Sequence, residues 1–216
     1  MKFQLLLLSL FIMACGHDTK HDHEHANDFM HQSSVEELIE RFESPERDAY
    51  QKPEKVLKYL GNIDGKTVMD IGAGSGYFSV KLAEKGAQVI AADVNDEFLA
   101  HVRKRVEENA IENIEVRKIE YDNPLLESKE TDLVLLVNTY HHINKRPTYF
   151  GEVKQGIKDN GSLVIIDFFK SETPVGPPTN HKVSIDQIIA ELKTVGFQHF
   201  EVEVNLLPYQ FIIQAR

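Results

Sequence analysis

Residues 67–76 read Thr-Val-Met-Asp-Ile-Gly-Ala-Gly-Ser-Gly, an apolar run that predicts a strand and leads directly into three alternating glycines. Glycines at positions 72, 74 and 76 allow the chain to turn tightly into a helix and bring backbone N–H groups close to a ligand. This stretch therefore predicts a strand, a ligand-binding turn and a helix in succession.

The rest of the chain repeats the alternation of strands and helices. Further strands are predicted over residues 87–92, 114–119, 132–137, 162–169, 199–204 and 209–214, and helices over 35–42, 53–61, 97–110, 148–157 and 185–195. Asn160 and Gly161 are expected to end the helix over 148–157. Strands rich in Val, Ile and Leu that alternate with helices indicate a parallel sheet covered on both faces. The short turn before the last strand makes that strand antiparallel. The predicted fold is α/β, a doubly wound, mostly parallel, seven-stranded Rossmann-like sheet with an antiparallel last strand, which binds ligands at the carboxyl edge of its strands.

Composition limits the classes of partner. The chain has 216 residues, of which 42% are hydrophobic, and a formal net charge of −10. A nucleic-acid partner requires a basic surface to offset phosphate charge, and no Lys/Arg-rich run supplies one. We therefore expect one folded domain with no nucleic-acid partner.

The first fifteen residues form a separate segment, in which Lys2 precedes an apolar run over residues 3–13 and Ile-Met-Ala-Cys15 follows. The run is too short to span a bilayer and has the flanks of a secretory signal. Its end resembles a bacterial lipobox, whose cysteine is lipidated, and Cys15 is the one cysteine of the chain. We predict a signal peptide over 1–14 and a lipoprotein anchored by Cys15 to a membrane of the bacterial cell envelope. An ordinary or unprocessed signal is the alternative.

Residues 15–34 are polar and rich in histidine. We interpret them as a tether between the lipidated cysteine and a domain over 35–216. A loose site for Zn, Cu or Ni at His21, His23 and His25 is the alternative, because His and Asp/Glu are ligands for these metals. No metal site is expected in the domain.

Two features of the glycine turn favour a cationic ligand over a dinucleotide. The dinucleotide fingerprint places its third glycine at position 77, which is Tyr77 here. The acidic Asp70, two residues before the first glycine, fits poorly beside a pyrophosphate and well beside an amino group. Since no pair of hydride-transfer residues is evident either, an NAD-dependent oxidoreductase is disfavoured.

An acidic residue followed by alternating glycines resembles the first motif of the class I S-adenosylmethionine (SAM) dependent methyltransferases. The resemblance extends over residues 45–216 and is strongest to small methyltransferases of the quinone-biosynthesis type. It implies that SAM is the cofactor, that Gly72, Gly74 and Gly76 pack on its methionine part, and that Asp70 holds the loop and the amino group.

The resemblance and the ends of the predicted strands assign further cofactor contacts. Asp93 ends the second strand and is expected to bind the ribose hydroxyls, although an acid beside a helix N-terminus is the structural alternative. The family uses an acidic residue after the third strand to meet the adenine amino group, and Glu120 and Asp122 are both candidates. Asn138, at the end of the fourth strand, is expected to face the SAM site.

Catalytic and covering residues are expected near the same sheet edge. One of His141 and His142 is expected to act as a general base, and a histidine that only lines the pocket is the alternative. Tyr50, Tyr140 and His181 are expected to contact the substrate or to belong to the lid over the pocket.

The expected function is transfer of a methyl group from SAM to a small or lipid-like acceptor. SAM is made in the cytosol, whereas a processed lipoprotein faces away from it. The alternative is therefore a non-catalytic lipoprotein that binds SAM or a nucleoside, or a metal-linked accessory protein.

Overall fold

The structure, a computed structural model, describes residues 33–216. The predicted signal peptide, Cys15 and the tether histidines His21, His23 and His25 lie outside these residues. Within the described part of the chain, no helix is both long enough and apolar enough to cross a membrane.

Three short helices precede the sheet: α1 (Val35–Phe42), α2 (Pro45–Gln51) and α3 (Pro53–Leu60). Ser34 and Glu37 form a capping box that starts α1. Ser44 caps α2, and Pro45 occupies its first turn. The sequence pattern predicted α1 and α3 and no helix between them. Helix α1 does end before Ser44, and α2 was missed because a proline in the first turn after a serine cap begins a new helix.

The sheet confirms the predicted fold class. Its strands are β1 (Thr67–Ile71), β2 (Gln88–Asp93), β3 (Ile114–Lys118), β4 (Thr131–Val137), β5 (Ile157–Phe168), β6 (Phe200–Glu203) and β7 (Gln210–Ala215). Their spatial order is β3-β2-β1-β4-β5-β7-β6. The first five strands are parallel, and β7 runs antiparallel to both of its neighbours. The strand order reverses between β1 and β4, which makes their carboxyl ends the expected ligand site.

Four more helices cover the sheet: α4 (Tyr77–Glu84), α5 (Asp96–Glu108), α6 (Arg146–Gly156) and α7 (Ile185–Thr194). Helices α3, α4 and α5 pack on one face, and α6 and α7 pack on the other. Alternate residues of β5 enter the two cores, with Val164 and Ile166 on the first face and Leu163 and Ile165 on the second. Burial on both faces explains why the strands read as continuous apolar runs.

Asn160 and Gly161 do not end a helix. Helix α6 stops at Gly156, and β5 begins at once. Thr131 of β4 pairs with Ile157, whereas Leu133 pairs with Ser162, so the intervening residues bulge out of the ladder. A Cβ on Gly161 would lie 2.6 Å from the Ile157 side chain, so this glycine permits close packing within the bulge.

Candidate active site at the carboxyl edge of the sheet

The glycine turn after β1 packs tightly against the chain that follows β4. Gly72 has φ +74°, in the left-handed region that favours glycine. A Cβ at this position would lie 2.4 Å from Thr139 Oγ1. Both the backbone conformation and the close approach therefore require glycine, and they hold the turn against the end of β4.

Three N–H groups of this turn bond to β2. Gly72 and Ala73 donate to the Ala92 carbonyl oxygen over 2.8 and 3.0 Å, and Gly74 donates to Asp93 Oδ2 over 2.9 Å. The approach of this backbone to a ligand stays a prediction. A pyrophosphate site needs such donors free. The turn therefore offers close backbone approach rather than an anion-binding nest.

Asp93 is held rigidly at the end of β2. Its carboxylate accepts the Gly74 and Asn95 N–H groups, each over 2.9 Å. Burial raises its pKa, and these hydrogen bonds oppose the shift. The side chain that caps α5 is Asn95, not Asp93. Asp93 is therefore a buried carboxylate fixed to the glycine turn, with lone pairs left for a ligand.

Asp70 is a second buried carboxylate beside the turn. Its Oδ2 accepts a hydrogen bond from Ser79 Oγ over 2.7 Å. Burial raises the pKa of Asp70 to about 6, although the Ser79 bond and the charge of Arg47 pull it back. A buried carboxyl with this shift is stabilised in its ionised form by a nearby cation.

The N-terminal helices lie over the glycine turn. Phe42 of α1 stacks on Phe98 of α5 with ring centroids 5.9 Å apart, and it approaches within 3.3 Å of the Cβ position of Gly74. The Glu43 carboxylate accepts from Ser75 Oγ over 2.6 Å and pairs with Arg105 over 2.7 Å. The Tyr50 ring lies 6.2 Å from the ring of Phe168, measured between centroids, and its place in a lid stays a prediction.

Arg47 places a positive charge under that cover. Its guanidinium lies 4.1 Å from the centroid of the Tyr77 ring and donates to the Phe42 carbonyl oxygen over 3.1 Å. Burial lowers its pKa, which the fields of Tyr50, Tyr77 and Asp70 oppose. Among residues 33–216, the buried Arg47 Nε has no hydrogen-bond partner. An acidic ligand group could occupy that donor.

Three of the residues predicted to contact the cofactor lie at the ends of β3 and β4. Glu120 and Asp122 are both exposed, in a turn closed by pairing of Glu120 with Asn123. Ile119 donates to the Asp93 carbonyl oxygen over 3.1 Å, so this turn lies beside the residue predicted to bind the ribose hydroxyls. The adenine contact stays a prediction for either acid. Asn138 has φ +58°, and its side chain turns toward Gln51 and Gln210.

The two adjacent histidines have different environments. His141 Nδ1 lies 3.0 Å from both carboxylate oxygens of Asp167, and both side chains are buried. His142 stacks against His141 with ring centroids 4.2 Å apart. Burial lowers the pKa of His142 to about 3, and the fields of His141 and His181 add to the shift. His142 is therefore uncharged and a weak base at neutral pH. The Asp167 carboxylate holds Nδ1 of His141 and fixes the orientation of its ring.

Tyr140 is not at the pocket. Its ring is fully buried and stacks on Phe150, and its hydroxyl donates to Glu191 of α7 over 2.6 Å. Glu191 also pairs with Arg146 over 2.6 Å. The assignment of Tyr140 as a substrate contact was wrong, because the short 3-10 turn over residues 140–142 directs this side chain into the second core.

The sequence did not single out four residues that the structure brings to this edge: Arg47, Gln51, Asp167 and Gln210. Asp167 carries a signal that could have been used, since it is an acidic residue at the carboxyl end of an apolar strand, as Asp93 is. The two glutamines have no such signal. Their placement depends on packing among α2, β4 and β7.

Comparison with known proteins agrees with this geometry. Residues 68–161 match the model of a methyltransferase domain. The chain is 29% identical over 115 residues to a tRNA U34 carboxymethyltransferase of Pseudoalteromonas translucida, covering 53% of this chain and 35% of that protein. It is 29% identical over 87 residues to a ubiquinone biosynthesis O-methyltransferase of Acinetobacter baylyi, covering 40% and 37%. The chain thus spans about a third of the length of each of these curated relatives.

A solved structure extends the similarity to nearly the whole described chain. A SAM-dependent methyltransferase from Aquifex aeolicus superposes with a TM-score of 0.77 at 29% identity, covering 85% of this chain and 98% of that one. SAM is the cofactor of this fold. The seven-stranded topology, the matched domain and these relatives together support a class I SAM-dependent methyltransferase.

Proposed function

We propose that this protein transfers a methyl group from SAM to a small acceptor molecule. One observation carries the proposal: Asp70 and Asp93, two buried carboxylates with raised pKa, flank a glycine turn in which the Gly72, Ala73 and Gly74 N–H groups are already bonded to β2. A ligand that suits this site is cationic and carries hydroxyl groups. SAM has a positively charged sulfur, an ammonium group and a ribose diol.

The residues at the turn fit each part of that cofactor. Asp93 accepts the ribose hydroxyls, and Asp70 attracts the amino group. The turn at Gly72 gives the methionine chain close access to the backbone. Arg47, whose Nε is unpaired among the described residues, is placed to meet the methionine carboxylate.

The chemistry requires little beyond orientation and one base. SAM supplies a methyl group on a positively charged sulfur, and transfer leaves a neutral thioether on the cofactor while a hydroxyl acceptor loses its proton. His141 Nε2 takes that proton, because the Asp167 carboxylate holds Nδ1 as the ring's donor and leaves Nε2 as its acceptor. Alignment of acceptor and methyl group supplies most of the acceleration, since proximity is worth about 7–11 kcal/mol.

A small acceptor is favoured over a nucleic acid. The net charge is −10, and a tRNA ligand would need a basic surface. The tRNA-modifying relative aligns with about half of this chain, so we do not assign its substrate to this protein. The relative from ubiquinone biosynthesis, by its name, acts on oxygen in a small molecule.

We further propose that a lipid on Cys15 anchors the enzyme to a membrane of the bacterial cell envelope. The support is the order of Lys2, the apolar run over 3–13 and Ala14 before that cysteine. Labelling cells with an alkyne fatty acid should tag the wild-type chain and leave Cys15→Ser untagged. Equal labelling of both chains would exclude this anchor.

Calorimetric titration of SAM and of NAD into the full chain tests the enzyme proposal. We expect a dissociation constant of about 1–100 µM for SAM and no heat from NAD. Absence of SAM binding would exclude the proposed function. Binding followed by no methyl transfer to any of a set of hydroxyl and amine acceptors would favour the non-catalytic alternative.

A further inference from the structure

Three amide side chains form a cluster where α2, β4 and β7 meet. Gln51 ends α2, Asn138 follows β4, and Gln210 begins β7. Gln51 Oε1 accepts from Asn138 Nδ2 over 3.3 Å and from Gln210 Nε2 over 3.5 Å, and Gln210 Nε2 also donates to Asn138 Oδ1. Gln51 and Gln210 are fully buried. We refer to these three residues as the amide cluster.

The amide cluster leaves one donor and one acceptor without partners. Within residues 33–216, neither Gln51 Nε2 nor Gln210 Oε1 has a hydrogen-bond partner, although both atoms are buried. Buried polar atoms in folded proteins are almost always paired, because an unpaired one loses its hydration without compensation. Two such atoms in one cluster at the ligand edge of the sheet indicate a binding site for a polar group.

The position of the cluster separates it from the cofactor contacts. Asp93 and the glycine turn lie on β2 and β1, whereas Gln210 begins β7, three strands beyond β1. At about 4.8 Å per strand, its backbone lies roughly 14 Å from β1 along the sheet. Asn138 connects the two regions, because the next residue, Thr139, packs against Gly72. The cluster therefore borders the far side of the cofactor site, where an acceptor must lie to reach the methyl group.

The amide cluster favours ligand groups of a particular charge as well as in a particular position. Its amides carry no charge, and it offers an unpaired N–H donor at Gln51 and an unpaired carbonyl oxygen at Gln210. A carboxylate or phosphate would place an anionic oxygen against Gln210 Oε1, and an ammonium would place its protons against the Gln51 amino group. A hydroxyl group accepts from the first and donates to the second.

Two aromatic residues adjoin members of the cluster, one across the β5–β7 ladder and one along the chain. Phe168 is the register partner of Gln210, and Tyr50 directly precedes Gln51. The two rings lie with centroids 6.2 Å apart. We propose that the amide cluster binds an uncharged hydroxyl group on an aromatic methyl acceptor. This proposal rests on the proposed function and names its substrate class.

Simple aromatic probes test the proposal on the full wild-type chain. Phenol, anisole, benzoate and benzylamine are titrated into protein saturated with S-adenosylhomocysteine (SAH), the product form of the cofactor. Side-chain amide NMR of glutamine-labelled protein reports occupancy of the cluster. We expect phenol to bind at least about tenfold more tightly than anisole, which cannot donate to Gln210 Oε1. Equal binding of anisole, or tighter binding of benzoate or benzylamine, would overturn the proposal.

One substitution distinguishes acceptor binding from cofactor binding. Gln210→Met should reduce phenol binding to the level of anisole and leave SAH affinity within about twofold. Gln214→Met, on the same strand but bonded to Ser162, is the matched control and should change neither. A tenfold loss of SAH affinity in Gln210→Met would instead assign the cluster to the cofactor. If the wild type binds no SAH at all, the proposed function fails, whereas SAH binding without discrimination among the probes rejects this inference alone.

Discussion

The proposed cofactor side and the proposed acceptor side of the site are built in different ways. On the cofactor side, Asp70 and Ser79 are 9 residues apart, and Gly74 and Asp93 are 19 apart. On the acceptor side, the contacts of the amide cluster join residues separated by 72, 87 and 159 positions. The first is a local motif held by backbone hydrogen bonds, and the second exists only when the entire sheet has formed. Substitutions on the two sides should therefore fail in different ways.

The largest effect is expected where the local motif depends on backbone shape. Gly72→Ala should lower the free energy of unfolding by about 3 kcal/mol, because the methyl group meets Thr139 and the left-handed conformation disfavours alanine. Urea denaturation measures this loss. Gly65→Ala is the control, since Gly65 has φ +70° but open space around its Cβ position, and it should lose only about 1 kcal/mol. If the two substitutions lower the free energy of unfolding equally, contact with Thr139 does not contribute to the loss at Gly72.

The next effect tests the carboxylate that ties the turn to β2. Asp93→Ala should weaken SAH binding about 100-fold, roughly 3 kcal/mol, because it removes the ribose acceptor and the bond to Gly74. Calorimetry measures the affinity. Asp96→Ala, an exposed acid of the same sheet edge paired with Lys118, should stay within about twofold of the wild type. Undiminished binding in Asp93→Ala would remove that residue from the site.

A pH effect of similar size is expected from Asp70. Burial raises its pKa from 3.8 to about 6, so the folded state keeps a proton that the unfolded chain releases. This group adds full stability below about pH 4, and the contribution is lost as the pH rises through about 6. The loss amounts to about 3 kcal/mol. The free energy of unfolding of the wild type, minus that of Asp70→Asn, should fall across this window. If this difference in the free energy of unfolding does not change with pH, burial does not raise the pKa of Asp70.

The smallest effect is expected at Tyr140, which lies outside the proposed acceptor side although Asn138, two residues earlier in the chain, belongs to it. Tyr140→Phe should cost about 1 kcal/mol of stability, since it removes the hydrogen bond to Glu191, and should leave SAH and phenol binding unchanged. Thermal unfolding and calorimetry measure the two properties. Tyr121→Phe, at an exposed tyrosine, should change neither. A loss of phenol binding in Tyr140→Phe would return that residue to the pocket.

Much of the fold could be predicted because its signals are local. The apolar runs of β1, β2, β4 and β5, the alternation of β3 and the helical spacing of α1, α3 and α5 appear directly in the sequence. The sequence did not predict helix α2 because a Ser-Pro pair can follow the end of one helix or begin the next. The bulge before Ser162 was missed because the sequence shows a turn signal, while the pairing of Ile157 with Thr131 is a tertiary contact.

Some residues of the candidate site were likewise predicted from local sequence signals, whereas others depend on tertiary contacts. Asp70 and the three glycines were predicted from the motif they form and its resemblance to a known family, and Asp93 was predicted from its place at the end of a strand. Tyr140 was misplaced because a short 3-10 turn, not strand or helix periodicity, sets its direction. Gln51 and Gln210 look like ordinary polar residues at the ends of elements. Their burial and their unpaired atoms become visible only when α2 lies across β4 and β7.

The sequence by itself determined the fold class, the glycine turn and the acidic residues that favour SAM, because each depends on chain segments of a few residues. The tertiary structure decided which groups remain unpaired. It assigned the turn N–H groups to β2, paired His141 with Asp167, and gathered three distant amides with one donor and one acceptor to spare. Hydrogen-bond satisfaction depends on every neighbour of a buried atom, and those neighbours come from all parts of the chain.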